Sequence, residues 1–205
     1  LREIAKRYPC VVISGRARAD ALRRVRGVGA VEVIGNHGIE PWQTSRRGLL
    51  AVRRWQPTLA RRLARFPGVR IEDKVYSMAV HYRQSRQKKK ARMAIQRAAS
   101  ALGDVRLIGG KQVVNLLPRD APHKGIALEK ARARFGCDTA VYVGDDETDE
   151  DVFGLDRPGR LLTVRVGRKR DSLASYFLRD QSEIDRLLIA LLSVGPELRQ
   201  RAVTS

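Results

Sequence analysis

Apolar strands and helices alternate at both ends of this 205-residue chain and stop alternating in its middle. That interruption restricts the available folds more than any other feature. By periodicity, Cys10–Ser14 is a short apolar strand, Ala17–Arg26 a helix and Val31–Gly35 a second strand. The alternation returns at Lys124, with a helix to Phe135, a strand at Thr139–Val143, a short helix after Thr148 and a strand at Leu161–Val166. Helices are predicted near Ser172–Leu178 and Ser182–Leu192. Read as β-α-β and then α-β-α-β-α, the ends predict an α/β, Rossmann-like core, a parallel sheet with helices on both faces.

The middle reads differently. Leu49–Phe66 is a basic helical stretch that Pro57 is expected to bend or divide. Val69–Ile71 and Tyr76–Arg83 are strand-like, and Gln84–Leu102 is helical and basic. Val105–Ile108 and Gln112–Leu117 read as a hairpin about a Gly109-Gly110 turn. A stretch this long is not a plain loop. The predicted organisation is therefore a first part of the core at 1–40, an inserted α+β domain at 41–117, and a second part of the core at 118–205.

Charge follows the same division. The chain carries a net +19, of which Trp42–Asn115 holds +15, its only acids being Glu72, Asp73 and Asp104. The inserted segment thus attracts anions, between flanks close to balance. No apolar run approaches the ~18 residues of a membrane-spanning helix, and no secretory leader pattern is visible. Cys10 and Cys137 each sit beside an apolar run and read as thiols of a reduced, cytoplasmic compartment.

Three elements carry chemistry. In Val141–Phe153, VYVGDDETDEDVF, an apolar strand leads into Gly144 and then six of the seven positions 145–151 are carboxylates. An acidic helix start capped by Thr148 or Asp149 accounts for Glu150 and Asp151. It does not account for Asp145 and Asp146, which fall at the carboxyl end of a buried strand, where open α/β sheets bind ligands. Hard carboxylates there suit Mg²⁺. An EF-hand fails on spacing, because Phe153 would stand at a liganding position. The second element is Ser14-Gly15-Arg16, a hydroxyl and a glycine directly after a strand, which lets backbone N–H groups approach an anion. The third is Lys124, followed by Gly125 at a helix start.

In this order the three resemble the second, third and fourth motifs of the haloacid-dehalogenase-like phosphatases. More closely, GNHGIE at Gly35–Glu40, IEDKVYSMAVHYR at Ile71–Arg83, GGKQVVNLLP at Gly109–Pro118 and GDDETDEDVF at Gly144–Phe153 resemble trehalose-6-phosphate phosphatases. The resemblance runs from Val11 to about Leu192. It implies a haloacid-dehalogenase core whose inserted domain caps the sugar. It also implies Mg²⁺-dependent hydrolysis of trehalose 6-phosphate through an aspartyl-phosphate, as a step of trehalose biosynthesis.

Residue by residue, it implies that Ser14, Gly15 and Arg16 bind phosphate and that Lys124 offsets its charge. Asp145 is implied to ligate Mg²⁺, with Asp146 holding a metal-bound water or Lys124. Asn36, His37, Glu72, Lys74, His81, Arg83 and Lys111 are candidate sugar or hinge contacts. Two departures stand out. Asn115 occupies a position usually acidic in the family, and the first motif, Asp-x-Asp-Gly-Thr, which carries the nucleophile and the general acid, occurs nowhere in the 205 residues. Only nine residues precede Cys10, so the nucleophile is expected upstream of this chain, which alone is expected to be inactive. The expected partner is a small sugar phosphate, without membrane or nucleic acid; association with a synthase is left open. The alternative is a catalytically silent homologue that uses its basic cap to bind a sugar phosphate, nucleic acid or a partner protein.

Overall fold

The computed structural model describes residues 1–29, 31–42 and 45–194. Strand β1 (Cys10–Ile13) pairs in parallel with β2 (Val31–Ile34), the crossover being α2 (Arg18–Arg24). A second parallel sheet runs in the order β7 (Ala140–Gly144), β8 (Leu161–Val166), β9 (Tyr176–Leu178). One helix joins the two sheets. Within α5 (Lys124–Phe135), Ala127 and Ala131 pack with Ile34, while Leu128 packs with Tyr142, Val152, Phe153 and Leu161. Ile13 touches both clusters. The buried positions of α5, from Lys124 through Ala131, recur at one-turn spacing, so a single stripe serves both sheets.

The middle segment pairs only with itself among the described residues, as an antiparallel sheet in the order β3 (Arg70–Asp73), β4 (Met78–His81), β6 (Val113–Pro118), β5 (Val105–Gly110). Helices α3 (Arg46–Leu63) and α4 (Lys88–Ser100) cover one face. The buried residues of α3 are Gly48, Val52, Trp55, Leu59 and Leu63, a helical stripe that meets Met78, Val80, Val114 and Leu116. Strand periodicity sends Glu72, Ala79, His81, Arg106 and Asn115 to the opposite face. That face looks toward the core: Lys74 donates to the Gly15 carbonyl (2.9 Å) and Arg106 to that of Pro122 (3.1 Å).

Several expectations need correction. The region predicted to be helical near Ser172–Leu178 is a loop followed by the edge strand β9. Pairing of Tyr176–Leu178 with Val164–Val166, and the Ser175 amide donating to Thr163 Oγ1 (2.9 Å), override the local helical spacing. The hairpin is present, but its turn is Lys111-Gln112. Gly109 and Gly110 lie within β5, and Gln112 takes the positive φ of 63°. Helix α3 continues through Pro57 unbroken, and the basic helix expected from Gln84 begins only at Lys88. The sequence reading also lacked α1 (Arg2–Arg7), which packs against α7 (Ile184–Ser193) through Arg7 donating to the Leu192 carbonyl (2.7 Å). Residues 195–205 of the second core part lie outside the described residues.

Among the described residues, β1 and β7 each pair along one edge only, and Val141 and Val143 of β7 are 42% and 36% exposed. An unpaired edge beside apolar side chains templates association. The chain should therefore self-associate as its concentration rises. Val141→Lys should reduce that association without lowering the melting temperature, which light scattering and thermal unfolding of the two forms would check.

Candidate active site

The site elements stand at strand ends and at the start of α5. After β1 the chain turns through Ser14-Gly15-Arg16, and glycine is required there because a Cβ at position 15 would lie 2.5 Å from His37 Cε1. Ser14 Oγ accepts from the Arg16 amide (3.2 Å), while the Arg16 guanidinium is taken up by Asp20 (2.9 Å). After β2 the chain makes the tight turn Asn36–Gly38, with Asn36 and His37 at positive φ.

Asn36 is fully buried. Its amide donates to Glu40 Oε2 (2.8 Å) and the Lys74 carbonyl (3.2 Å), and its Oδ1 accepts from Ser77 (2.8 Å). With both donors used, Asn36 ties the inserted segment to the core. His37 is buried and neither ring nitrogen has a hydrogen-bond partner among the described residues. Burial pushes its pKa down to about 3, and the charges of Lys74, Lys124 and Arg106 act in the same direction. Three cations, two from the inserted segment and one from α5, therefore act on one neutral imidazole.

The centre of the site is a buried ion pair. Lys124 opens α5, where the His123 side chain caps by accepting from the Gly125 amide (3.2 Å). Its Nζ donates to Asp149 Oδ1 at 2.7 Å, and both side chains are about 95% buried. The same oxygen accepts from the Tyr142 hydroxyl (2.6 Å), and Oδ2 accepts from the Asp146 amide (2.8 Å). Burial, then the charge of Asp149, raises the Tyr142 pKa, keeping the hydroxyl a donor. Gly144 is required for this packing, since a Cβ there would meet Asp149 Cγ at 2.3 Å.

Asp145 and Asp146 stand exposed beside Asp149, the three offering carboxylate oxygens within 4.8 Å of one another. Burial, countered by Lys124, raises the Asp146 pKa. With Asp149 committed to Lys124 and Tyr142, the unpaired carboxylates are Asp145 and Asp146, a hard oxygen donor set that fits a divalent cation. Arg165 at the end of β8 shapes this loop, donating to the carbonyls of Asp145 (2.9 Å) and Asp146 (3.4 Å) and to Glu150 Oε1 (2.8 Å).

Of the inserted-segment candidates, Lys74 reaches the site, donating to the Gly15 carbonyl and to Asn115 Oδ1 (3.4 Å). Burial lowers its pKa, against the pull of Glu72. Glu72 and His81 pair with each other at 2.7 Å on the core-facing side of the sheet. Arg83 and Lys111 are exposed, Lys111 at the hairpin turn. Asp146 was expected to hold a metal-bound water or Lys124; the structure pairs Lys124 with Asp149. Tyr142, Arg106 and Arg165 were not singled out; Tyr142 stands in the strand leading into the acidic stretch, where it reads as an apolar strand position, and Arg106 and Arg165 stand in no distinctive motif.

The trehalose-phosphatase family model matches residues 1–182. The chain belongs to the trehalose-phosphatase family. It is 30% identical to a trehalose-phosphate phosphatase of Mycobacterium avium over its whole length, covering 53% of that protein. It is 29% identical to probable trehalose-phosphate phosphatase 4 of Oryza sativa, with 94% of this chain and 58% of the relative covered. The chain thus spans about half the length of these curated relatives. The fold matches a solved trehalose-6-phosphate phosphatase related protein (TM-score 0.69, 23% identity, 94% of this chain and 85% of that one). It also matches a sucrose-phosphatase from Synechocystis (TM-score 0.58, 15% identity, 93% and 87%).

The imidazole of His37 gives a pH signature. Its folded pKa of about 3 lies below the ordinary 6.5, so the unfolded chain binds the proton first as pH falls. Stability contributed above pH 6.5 is lost progressively toward pH 3, about 2 kcal/mol of it by pH 5. Denaturant unfolding at pH 7.5 and pH 5 should show that loss, and His37→Gln should remove this part of the slope.

Proposed function

We propose that this chain supplies the phosphate-binding, metal-binding and sugar-capping parts of a Mg²⁺-dependent trehalose-6-phosphate phosphatase acting in the cytoplasm. The observation that carries the reading is the convergence of Ser14-Gly15 and Lys74 at strand ends with Lys124 at the start of α5, beside an acidic loop, in a chain of the trehalose-phosphatase family. Family membership favours this reading over a silent binding protein. Two free thiols, Cys10 and Cys137, fit a reduced compartment. No helix among the described residues is long and apolar enough to cross a membrane.

In this reading the Ser14 hydroxyl and the backbone after β1 hold phosphate oxygens. Lys124, fixed by Asp149, offsets the charge that develops on them. Asp145 and Asp146 would hold the Mg²⁺, which supplies further neutralisation of phosphate charge when bound. The inserted sheet acts as a cap over the sugar, with Glu72, His81, Lys74 and Asn115 on its inner face. Asn115 offers an amide in place of a carboxylate and leaves the Lys74 ammonium without a charged partner on that strand.

The missing function is in-line attack on phosphorus. Asp149 is committed to Lys124, Asp145 and Asp146 are assigned to the metal, and the sequence holds no Asp-x-Asp-Gly-Thr. We assign the nucleophile and the general acid to a segment outside these 205 residues.

A phosphate-release assay tests this. The 205-residue chain should turn over trehalose 6-phosphate at background rate with Mg²⁺ present. Adding an N-terminal strand that ends in Asp-x-Asp-Gly-Thr should produce Mg²⁺-dependent release; robust turnover by the 205 residues alone would overturn the assignment of the nucleophile. Affinity for the sugar phosphate should fall as salt rises from low to physiological ionic strength, since most of the basic excess lies in the cap; titration calorimetry at the two salt concentrations reads it.

A further inference from the structure

Beside the acidic loop, but separate from the residues assigned above to the sugar phosphate, the segment after β8 borders an open groove of about 450 Å³. Arg165, Arg168, Lys169 and Arg170 line it, together with Tyr176 and Phe177 of β9. Three consecutive cations on one short loop repel one another and call for anionic neighbours. The acids nearby meet that need only in part. Glu147 approaches Lys169 no closer than 4.0 Å, and Glu150 is taken by Arg165 and by the Leu173 amide (2.8 Å). Asp171, in the same loop, is exposed and makes no ion pair among the described residues, nor do Arg168 and Arg170.

Arg165 adds a second, independent sign of a missing partner. It is 8% exposed and its two terminal nitrogens are engaged on the acidic loop, yet its Nε is buried without an acceptor among the described residues. A buried donor left unpaired costs free energy that an anion could recover.

The aromatic residues narrow the ligand class. Tyr176 and Phe177 lie on an edge strand, 60% and 52% exposed, and the Arg168 guanidinium already stacks 5.3 Å over the Phe177 ring. Exposed aromatic faces beside an arginine cluster suit a flat ring attached to phosphates, and the volume falls in the range of small-ligand sites.

We propose that this groove is a second anion site that takes a nucleoside polyphosphate, with its phosphates on Arg168, Lys169 and Arg170 and its base against Tyr176. The proposal does not rest on the phosphatase reading, because it uses none of the residues assigned there.

Titration calorimetry of the 205-residue chain with ATP and with tripolyphosphate, without added divalent metal, tests it. One ATP should bind per chain, more tightly than tripolyphosphate. Arg168→Glu with Arg170→Glu should weaken both at least tenfold, a change equal to about 1.4 kcal/mol or more. Tyr176→Ala should remove the advantage of ATP while leaving tripolyphosphate binding unchanged. Two controls set the site apart: Lys74→Met, in the sugar-phosphate site, and Arg61→Glu with Arg62→Glu, on the distant basic groove between α3 and α4. Neither should alter ATP affinity by more than twofold. Loss of ATP binding in Lys74→Met would place the ligand at the sugar-phosphate site and overturn the proposal. An equal loss from the groove variant would reduce it to unspecific charge attraction, and absence of measurable ATP binding would refute it outright. Tripolyphosphate binding as tightly as ATP would overturn the assignment of the ring to Tyr176.

Discussion

The site is organised around the buried pair of Lys124 and Asp149. Removing two charges from water is costly, and the cost is offset only where every remaining donor and acceptor is met. Here two further groups bond the carboxylate and a helix start holds the lysine. Tyr142 from β7 and the Asp146 amide complete Asp149, and glycine at 144 leaves room for it. Because Lys124 belongs to α5, the helix that joins both parallel sheets, the pair also fixes where the two sheets end relative to one another. The exposed carboxylates of Asp145 and Asp146 are placed as a consequence, and Arg165 holds their backbone from the far side.

The inserted sheet is fastened to this core by polar contacts rather than by a broad apolar interface. Asn36 spends its entire side chain on Glu40, Lys74 and Ser77, and Lys74 and Arg106 donate to core carbonyls. The small cluster of Ile39, Leu117 and Ala121 is the apolar part of this junction. Most of the segment's positive charge lies on α3 and α4, on the face turned away from the core, and Lys74 and Arg106 are the cations that reach the site from the core-facing side. His37, neutral amid three cations, lets them come close without adding a fourth charge.

Much of this could be read directly from the chain. The periodicity of the ends predicted the parallel strands and α5, and the change of composition marked the segment that folds as its own antiparallel sheet. Gly144-Asp145-Asp146, Ser14-Gly15 and Lys124 were recognisable because each follows a strand or opens a helix, where backbone geometry alone creates a ligand site. The misreadings have a common origin. Leu173, Ala174, Phe177 and Leu178 have helical spacing, but an available edge on β8 captured Tyr176–Leu178 as a strand. Pro57 stands inside an unbroken helix, held by the buried stripe from Val52 to Leu63.

The amino-acid sequence by itself determined most of the elements, the segregation of charge and the residue types at the strand ends, because these depend on periodicity and on local backbone preference, whereas β9 was decided by pairing with β8. Only the tertiary structure decided which acid neutralises Lys124. Asp146 and Asp149 are three residues apart, and the choice depends on burial and on the Tyr142 hydroxyl, which adjacent positions along the chain do not encode. Only the tertiary structure left His37 unpartnered, brought Lys74 to the Gly15 carbonyl and turned Arg165 toward the acidic loop. Each of those contacts joins residues far apart in sequence, so its energy depends on how the sheets and α5 pack together.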